Sequence, residues 1–229
     1  MSNSVSPLSH LLFPESCVVC SRELTKSNNH LCSFCHGEIE LTCFELYSDF
    51  TEMDQLFWGR VQVDYTYAHF RFKKNAPPQK ILFALKYQNG SSIGAYFGEE
   101  IGRKLNQSER WKDVDLLIPV PLHPKKLFIR GYNQSQAIAQ GISEITQTPM
   151  NLNLVRRSSF TKTQTGKSRF ERWENVANKF DINNGIKKYK HIVLVDDVIT
   201  TGATIESIIQ SIRKVDASIR ISVVTLAIA

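Results

Sequence analysis

Apolar residues along the chain fall into short runs and into helically spaced sets. Runs rich in β-branched residues occupy residues 192–195 and 220–229, and a third apolar run spans residues 115–121. Each is short enough to be a strand buried within a sheet. Residues 61–72 alternate apolar and polar side chains in part, which predicts a strand or hairpin at the sheet edge. Residues 152–155 are a further short strand by the same criterion.

Helices are predicted between these strands. Pro77 and Pro78 open the first, because proline is favoured in the first helical turn, and a second spans residues 93–105. Asn133 or Ser135 caps a third. The fourth carries isoleucines at helical spacing, namely Ile205, Ile208, Ile209 and Ile212. The order strand–helix–strand–helix predicts an α/β fold with a mostly parallel, twisted sheet flanked by helices.

Residues 191–204 carry the most specific pattern of the chain. A predicted buried strand is followed by two carboxylates, a small polar turn and the fourth helix. Free backbone N–H groups and the positive end of a helix dipole meet at such a turn, which predicts a phosphate-binding loop. The alternative is that the threonines only cap the helix. The residues of the turn are Thr200, Thr201, Gly202, Ala203 and Thr204.

Asp196 and Asp197 are not expected to bind the phosphate themselves, in contrast to the loop that follows them. They come directly after the apolar run, and ligands of open α/β sheets bind at the carboxyl ends of strands. Two carboxylates repel a phosphate, but they accept hydrogen bonds from the hydroxyl groups of a sugar beside it. The alternative is that both are solvated residues of a strand end. Together with the loop, they predict a site for a sugar phosphate.

Four cysteines form two CxxC pairs near the N-terminus, and 11 residues separate the pairs. This spacing allows four thiolates to converge in a tetrahedron, which is the structural zinc arrangement. The segment has few apolar residues, so a metal would stabilise it. Disulfides are the weaker alternative in a cytosolic chain. His30 and His36 are substitute ligands, and Cys43 is left over as a spectator thiol. The predicted ligands are Cys17, Cys20, Cys32 and Cys35.

Two polar segments are further candidates for binding anions. Residues 121–135 join basic side chains to a glycine and a helix start, and a basic loop after a strand suits pyrophosphate. His123 is more often a packing residue of such a loop than a catalyst. Residues 156–175 are basic and polar, which predicts a mobile flap that closes over a charged transition state, with a solvated surface loop as the alternative. By pattern alone, Lys86 is one solvated lysine among many.

Composition bounds these interpretations. The chain has 229 residues, of which 42% are hydrophobic, so it has room for one α/β domain and a small extra module. No apolar run approaches the roughly 18 residues of a membrane span. The N-terminal residues lack the pattern of a secretory signal. We therefore expect a cytoplasmic, reducing location without membrane insertion.

The net charge of +6 is unevenly distributed. Residues 1–60 contain 3 Lys/Arg and 8 Asp/Glu, whereas residues 155–190 contain 10 Lys/Arg and 3 Asp/Glu. A concentrated positive field of this kind attracts polyanions, whether pyrophosphate or nucleic acid. Charge alone does not choose between these two partners.

Taken together, the motifs make the chain similar to the ComF family, the amidophosphoribosyltransferase-like competence proteins. The likeness covers almost the full length. Tyr132 stands where the family more often has Phe, and Lys167 where it usually has an apolar residue. Residues 196–204 resemble the phosphoribosyl-pyrophosphate signature of type I phosphoribosyltransferases. The other shared motifs are the CxxC pairs, residues 85–87 (LKY), 120–125 (VPLHPK) and 130–134 (RGYNQ), and residues 164–166 (QTG) with Arg169, Arg172 and Asn175.

The resemblance implies a type I phosphoribosyltransferase-like domain over residues 61–229. A zinc-ribbon module and a helical connection would precede it, over residues 1–60. Asp196 and Asp197 would hold the ribose hydroxyls of phosphoribosyl pyrophosphate, and residues 200–204 its 5′-phosphate.

The resemblance also implies the site of the leaving group. The loop from Pro121 and Leu122, with Lys125 and Arg130, would meet the pyrophosphate, and Mg²⁺ would bridge pyrophosphate and ribose oxygens. The resemblance thus assigns catalytic roles to five residues, namely Lys125, Arg130, Asp196, Asp197 and, in the flap, Arg169. The acceptor of the phosphoribosyl group is unknown.

Three functions remain open on the sequence. The first is catalysis of phosphoribosyl transfer, and the second is sensing of a ribose phosphate without turnover. The third is an accessory role in DNA uptake, with single-stranded DNA or a helicase as the partner and the zinc ribbon and residues 155–190 as contact surfaces. The oligomeric state is left open.

Overall fold

The computed structural model describes residues 15–24, 30–88, 90–157 and 180–229. Four strands form one parallel sheet in the order β1–β6–β5–β2, and β3 pairs with β4 in a separate antiparallel ribbon. The described strands are β1 (Thr66–Arg71), β2 (Leu116–Pro119), β3 (Val155–Arg157), β4 (Phe180–Ile182), β5 (His191–Ile199) and β6 (Arg220–Ile228). The predicted α/β class with a parallel sheet is confirmed.

Helices follow or precede each strand of the main sheet. Short 3-10 turns occur at Phe44–Leu46, Glu109–Trp111 and Asn184–Lys188. None of the described helices is long and apolar enough to cross a membrane. They are α1 (Ser33–Gly37), α2 (Glu52–Gln55), α3 (Pro77–Tyr87), α4 (Gly90–Leu105), α5 (Pro124–Arg130), α6 (Gln134–Thr146) and α7 (Ala203–Val215).

The two central strands, β5 and β6, hold the core. Residues 191–195 of β5 and 221–228 of β6 are all buried. Both faces of a parallel sheet are covered, which is why these strands read as continuous apolar runs rather than as alternating patterns. Each buried Val, Leu or Ile side chain contributes about 1.5–3 kcal/mol to folding.

Helices α4 and α6 pack with their backbones almost in contact. A Cβ added to Gly98 would lie 2.2 Å from the carbonyl oxygen of Ile138, so only glycine fits there. Helix α6 packs in turn on β2 and β5. This packing brings the first turn of α6 to the carboxyl end of β5, where the candidate site lies.

The acidic segment before β1 covers the outer edge of the sheet. The Arg71 N–H donates to the Glu40 carbonyl at 2.9 Å, the Thr42 N–H donates to the His69 carbonyl at 3.2 Å, and Leu41 forms an antiparallel bridge with Phe70. The predicted helical connection is therefore largely wrong, since this segment contains only α2 and a 3-10 turn. The hairpin alternative for residues 61–72 is also wrong, because that stretch contributes the single edge strand β1, which runs parallel to β6.

Three other elements differ from their predicted bounds. Strand β5 runs beyond the apolar residues to Ile199, because its ladder with β6 continues through Asp196. The predicted basic loop contains helix α5, which starts at Pro124. The short strand predicted at 152–155 begins only at Val155, where β4 pairs with it.

The predicted boundary between residues 60 and 61 stays a prediction, but residues on its two sides pack together, and the Thr51 and Thr66 hydroxyls are hydrogen-bonded at 3.0 Å. A Cβ placed on Gly202 would lie 3.1 Å from Cε1 of Phe57. Gly202 has φ +71°, the left-handed conformation that side chains other than glycine rarely adopt. The turn before α7 therefore depends on both the backbone freedom of Gly202 and the ring beneath it.

We expect Gly202→Ala to lower the free energy of unfolding by about 1–2 kcal/mol, because a Cβ is strained at this φ and crowds Phe57. Urea unfolding followed by circular dichroism measures the change. The matched control is Gly37→Ala, at a position where a Cβ meets open space, and it should change stability by less than about 0.5 kcal/mol. Equal effects of the two substitutions would contradict this account.

Candidate functional site

Asp196 lies near the carboxyl end of β5 and is held by two hydrogen bonds. Its Oδ1 accepts from the Ser135 hydroxyl at 2.9 Å and from the Asp197 N–H at 2.9 Å. Ser135 is buried in the first turn of α6, so the packing of this helix fixes the carboxylate. Burial, and then repulsion by the neighbouring Asp197 carboxylate, raises the pKa of Asp196 to about 7. Without a ligand, the negative charge of an ionised Asp196 is therefore poorly balanced by the groups around it.

Asp197 has different partners. Its Oδ1 accepts from the Val198 N–H at 2.8 Å, and its Oδ2 lies 3.7 Å from Nζ of Lys86. The Lys86 side chain is 25% exposed, and it leaves the last turn of α3 toward this carboxylate. The prediction of a solvated lysine is therefore wrong. The only sequence signal for Lys86 was its place in the LKY motif of the resemblance.

The predicted phosphate loop connects β5 to α7 as an exposed turn. Thr200, Thr201, Ala203 and Thr204 are exposed, whereas Gly202 is buried against Phe57. The first N–H groups of an α-helix have no partner within the helix, and α7 is 13 residues long. The loop and the two carboxylates therefore share one end of the sheet, as the sequence predicts.

Arg60 holds the same loop and was missed in the sequence. Its Nη1 donates to the carbonyl oxygens of Thr201 and Leu56, each at 2.8 Å, and its Nη2 pairs with Glu206 in the first turn of α7. A guanidinium with several donors can join three groups in this way. No local pattern marks Arg60, because its partner Thr201 lies 141 residues away in the sequence.

The segment after β2 is built differently from the predicted loop. Pro121 and Leu122 are half-buried, and His123 caps α5, with its Nδ1 accepting from the Lys125 N–H at 3.2 Å. Asn133 ties the segment down, since its Nδ2 donates to the Val120 carbonyl at 2.9 Å. His123 was predicted to be a packing residue of the loop rather than a catalyst, and its role as the cap of α5 agrees with a structural function.

The basic residues of this segment form no described ion pair with Asp196 or Asp197. Lys125 is exposed. Arg130 donates to Gln134 Oε1 at 2.7 Å, and its guanidinium lies 5.8 Å from the ring centroid of Tyr87. The assignments of both residues to pyrophosphate stay predictions. Arg169 lies outside the described residues, as does most of the predicted flap.

The four predicted metal ligands converge. The sulfur atoms of Cys17, Cys20, Cys32 and Cys35 all lie within 4.8 Å of one another. Cys20 Sγ and Cys32 Sγ are 3.7 Å apart, which is close to the separation of about 3.8 Å that a tetrahedral zinc with 2.3 Å bonds imposes. The donor set and its spacing therefore fit a metal ion such as zinc.

Hydrogen bonds favour the thiolate of Cys17, whereas burial, and then hydrogen bonds with the other three cysteines, raise the pKa of Cys35. The Cys35 N–H donates to Cys32 Sγ at 3.5 Å. Burial alone would raise the pKa of Cys17, but backbone N–H groups, led by that of Cys32, lower it to about 6. The substitute ligands have other partners: His30 packs edge-to-face on Tyr96 and His36 lies 3.3 Å from Glu100.

We expect the purified protein to contain one zinc ion per chain, and we expect a strong chelator to remove it and lower the melting temperature. The physical reason is that metal–thiolate bonds hold a segment with little apolar core. Metal analysis and thermal unfolding measure both effects. Cys17→Ser/Cys35→Ser should lose the ion, whereas Cys43→Ser should keep it. Retention of zinc by the double variant would refute the four-cysteine site.

We expect Asp196→Asn to raise the free energy of unfolding at pH 8 by about 1–3 kcal/mol. The folded pKa of about 7 exceeds the unfolded value of about 3.9. Ionisation of this residue therefore costs stability progressively as the pH rises from about 4, and the cost is complete above about pH 7. Urea titrations at pH 4 and pH 8 should show the gain only at pH 8. Asp181→Asn, at an exposed carboxylate of β4, is the control and should show no such dependence.

Comparisons with known proteins agree with this geometry. The model of the phosphoribosyl transferase domain family matches residues 130–228, which include the two aspartates and the loop. A solved glutamine phosphoribosylpyrophosphate amidotransferase from B. subtilis aligns with 22% identity over 62% of this chain and 30% of its own, but its TM-score of 0.43 is too low to support an argument.

Curated relatives extend the similarity to nearly the whole chain. Competence protein F of Haemophilus influenzae is 28% identical over 214 residues, covering 86% of this chain and 90% of the relative. Competence protein ComFC of Bacillus subtilis is 26% identical over 85% of this chain and 77% of its own length. DNA utilization protein YhgH of Escherichia coli K12 is 30% identical over 59% of this chain and 61% of its own. The chain is therefore similar over most of its length to competence proteins of the ComF family, and it has a phosphoribosyltransferase fold.

Proposed function

We propose that this protein binds phosphoribosyl pyrophosphate with Mg²⁺ at the carboxyl end of β5 and transfers the phosphoribosyl group to an acceptor. The observation that carries the proposal is the pair Asp196 and Asp197 next to an exposed turn that opens a long helix. Carboxylates accept hydrogen bonds from ribose hydroxyls, and helix N–H groups bind phosphate. The ribose hydroxyls would therefore bind the carboxylates, and the phosphate would bind the adjacent N–H groups at the start of α7.

The charge balance around the aspartates supports the same ligand. Lys86 is the one described cation within 4 Å of either carboxylate, and the pKa of Asp196 is raised by burial and then by repulsion from the Asp197 carboxylate. A ligand that brings hydroxyl donors and a divalent ion relieves this repulsion. Mg²⁺ prefers oxygen ligands and would neutralise charge on the pyrophosphate, and the carboxylates of Asp196 and Asp197 would be available to hold it.

The residues of this chain would act mainly by positioning and by electrostatics. Asp196 and Asp197 would orient the ribose, while Arg60 would keep the loop in place for the 5′-phosphate. Lys86 would orient Asp197 and add positive charge near the departing pyrophosphate. Fixed charges aimed at a developing negative charge lower the barrier without reorganisation during the reaction.

A second candidate function is the binding of single-stranded DNA, and it is supported by the names of the relatives and by a set of basic residues. Two relatives are named competence proteins and one a DNA utilization protein. Described cations of the basic stretch include Arg156 and Arg157 on β3 and Lys187, Lys188 and Lys190 just before β5. A surface of this kind would bind single-stranded DNA through its phosphates, with or without a ribose-phosphate ligand at Asp196.

Isothermal titration with phosphoribosyl pyrophosphate and Mg²⁺ tests the first function. We expect micromolar-range binding to the wild type and at least about tenfold weaker binding to Asp196→Asn/Asp197→Asn, because hydrogen bonds to charged acceptors are lost. Asp181→Asn is the matched control and should bind as the wild type does.

Two outcomes would count against ribose-phosphate binding. One is the absence of any heat of binding with the zinc-loaded wild type. The other is undiminished binding by the double aspartate variant. Binding of single-stranded DNA that weakens steeply with salt and does not respond to the aspartate substitutions would favour the second function instead.

A further inference from the structure

The segment between α1 and β1 exposes a group of large apolar side chains. Phe50 is 72% exposed and Trp58 is 57% exposed, and their rings meet edge-to-face with centroids 5.6 Å apart. Leu46 and Tyr47 are also exposed. Neither Phe50 nor Trp58 belongs to the core or to the side chains packed against it, so the packing of the fold does not explain the two rings. Exposed apolar side chains with polar residues around them mark interaction sites.

A cavity of about 440 Å³ lies beside these rings. Phe50, Trp58 and Tyr65 contribute aromatic side chains to its lining, and Phe57, which packs beneath Gly202, contributes another. Small-molecule sites occupy roughly 300–1,000 Å³, so the cavity has room for side chains of a partner. It is adjacent to the loop of the candidate site through the Phe57 ring, but its lining includes neither carboxylate of that site.

The charge of this region is negative. Residues 38–59 contain six Asp or Glu and no Lys or Arg. Arg110 is the one cation among the described residues that line the cavity, and it is already engaged, since it donates to the Ser48 carbonyl and its guanidinium lies 5.4 Å from the ring centroid of Tyr65. The aspartates of the lining are Asp49, Asp54 and Asp64.

Of these three carboxylates, that of Asp49 is available to a cation from outside. Asp54 accepts from the Thr66 hydroxyl at 2.8 Å, and Asp64 pairs with Arg220 at 3.1 Å. Asp49 is exposed, and it belongs to no ion pair within the described part of the chain. A cation that pairs with Asp49 would also meet aromatic rings, whose faces attract Lys and Arg side chains.

The sign of the charge favours one class of occupant. Acidic residues repel the phosphates of nucleic acid and of anionic lipids, whereas they attract a protein segment that is rich in Lys and Arg. The basic residues at 156–157 and 187–190 lie on other elements, so the chain separates an acidic aromatic region from a basic one. A basic protein segment with some apolar side chains therefore complements both the charge and the exposed rings.

We propose that this region docks a basic segment of a partner protein. The acidic aromatic surface, formed by Asp49, Phe50, Trp58 and the cavity beside them, holds an Arg or Lys side chain over the Trp58 ring and against Asp49. Apolar side chains of the same segment pack on Phe50. Aromatic residues and Arg carry much of the binding energy at the centres of protein interfaces. The inference goes beyond ribose-phosphate binding, which uses the other carboxylates at the end of β5.

An array of synthetic peptides tests this docking. One series combines Arg or Lys with Leu, Ile or Phe, and a matched series has Glu in place of every Arg or Lys. We expect the zinc-loaded full chain to bind members of the basic series and none of the acidic series, because the surface is negatively charged. A basic peptide that binds is then labelled with fluorescein, and fluorescence anisotropy gives its affinity.

Variants of the surface separate the rings from the charge. Phe50→Ala/Trp58→Ala should weaken peptide binding at least about tenfold, whereas Trp58→Phe keeps a ring and should retain most of the affinity. Asp49→Asn should reduce the dependence of the affinity on salt, since one charge of the surface is removed. All three residues are exposed, so thermal unfolding should show folded variants.

The matched control is Phe83→Ala/Tyr87→Ala on α3. It also removes two exposed aromatic side chains, with ring centroids 5.1 Å apart, but their neighbours Lys86 and Arg130 are basic. This variant should bind the peptide as the wild type does. A loss equal to that of Phe50→Ala/Trp58→Ala would show that any exposed aromatic pair attracts the peptide, which would contradict a specific surface.

Three further results would overturn the docking surface. The first is that no peptide of the basic series binds, and the second is that Phe50→Ala/Trp58→Ala binds the peptide as tightly as the wild type does. The third is that the double variant loses binding of a thymidine oligonucleotide, or loses self-association in analytical ultracentrifugation, in place of peptide binding. That result would assign the rings to single-stranded DNA or to a second copy of the chain.

Discussion

The structure depends on keeping two carboxylates side by side at the end of a buried central strand. The ladder between β5 and β6 fixes the backbone of Asp196, which pairs with Thr225, so the acids cannot separate without breaking the sheet. Ser135 holds one carboxylate and Lys86 faces the other. The repulsion between the two carboxylates lowers the stability of the fold, and a ligand bound between them would reduce it. Functional sites often lower stability in this way.

The predicted phosphate loop is held largely by residues outside the sheet. Phe57 fills the space beneath Gly202, and Arg60 joins the loop carbonyl of Thr201 to the first turn of α7. The segment that carries both residues also covers the free edge of β1. The part of the chain that looks like an appendage in the sequence is therefore a structural support of the site.

A partly buried polar cluster connects the cysteine module to the same framework. The Glu100 carboxylate of α4 lies 3.3 Å from His36, next to Cys35, and 3.3 Å from His69 of β1, while Tyr96 donates to it at 3.1 Å. Burial alone would raise the pKa of Glu100, but these hydrogen bonds and nearby charges, led by His69, lower it. The cysteine module thereby contacts the domain through packing and charge.

The sequence by itself determined the parts whose cause is local. Apolar β-branched runs specify the buried strands, the CxxC pairs specify a four-sulfur cluster, and the turn around Gly202 needs a residue that tolerates positive φ. The apolar pattern does not predict the end of β5 or helix α5, although Pro124 after a capping His123 is a local signal for a helix start.

Only the tertiary structure decided which distant residues complete the site. Lys86 reaches Asp197 from another helix, and Arg60 reaches Thr201 across 141 residues of sequence. Such contacts arise when the sheet order and the packing of helices bring separate segments together, and neither is encoded in the spacing of neighbouring residues. A lysine and an arginine look like solvated charges in a sequence because the chain does not show which surface they will face.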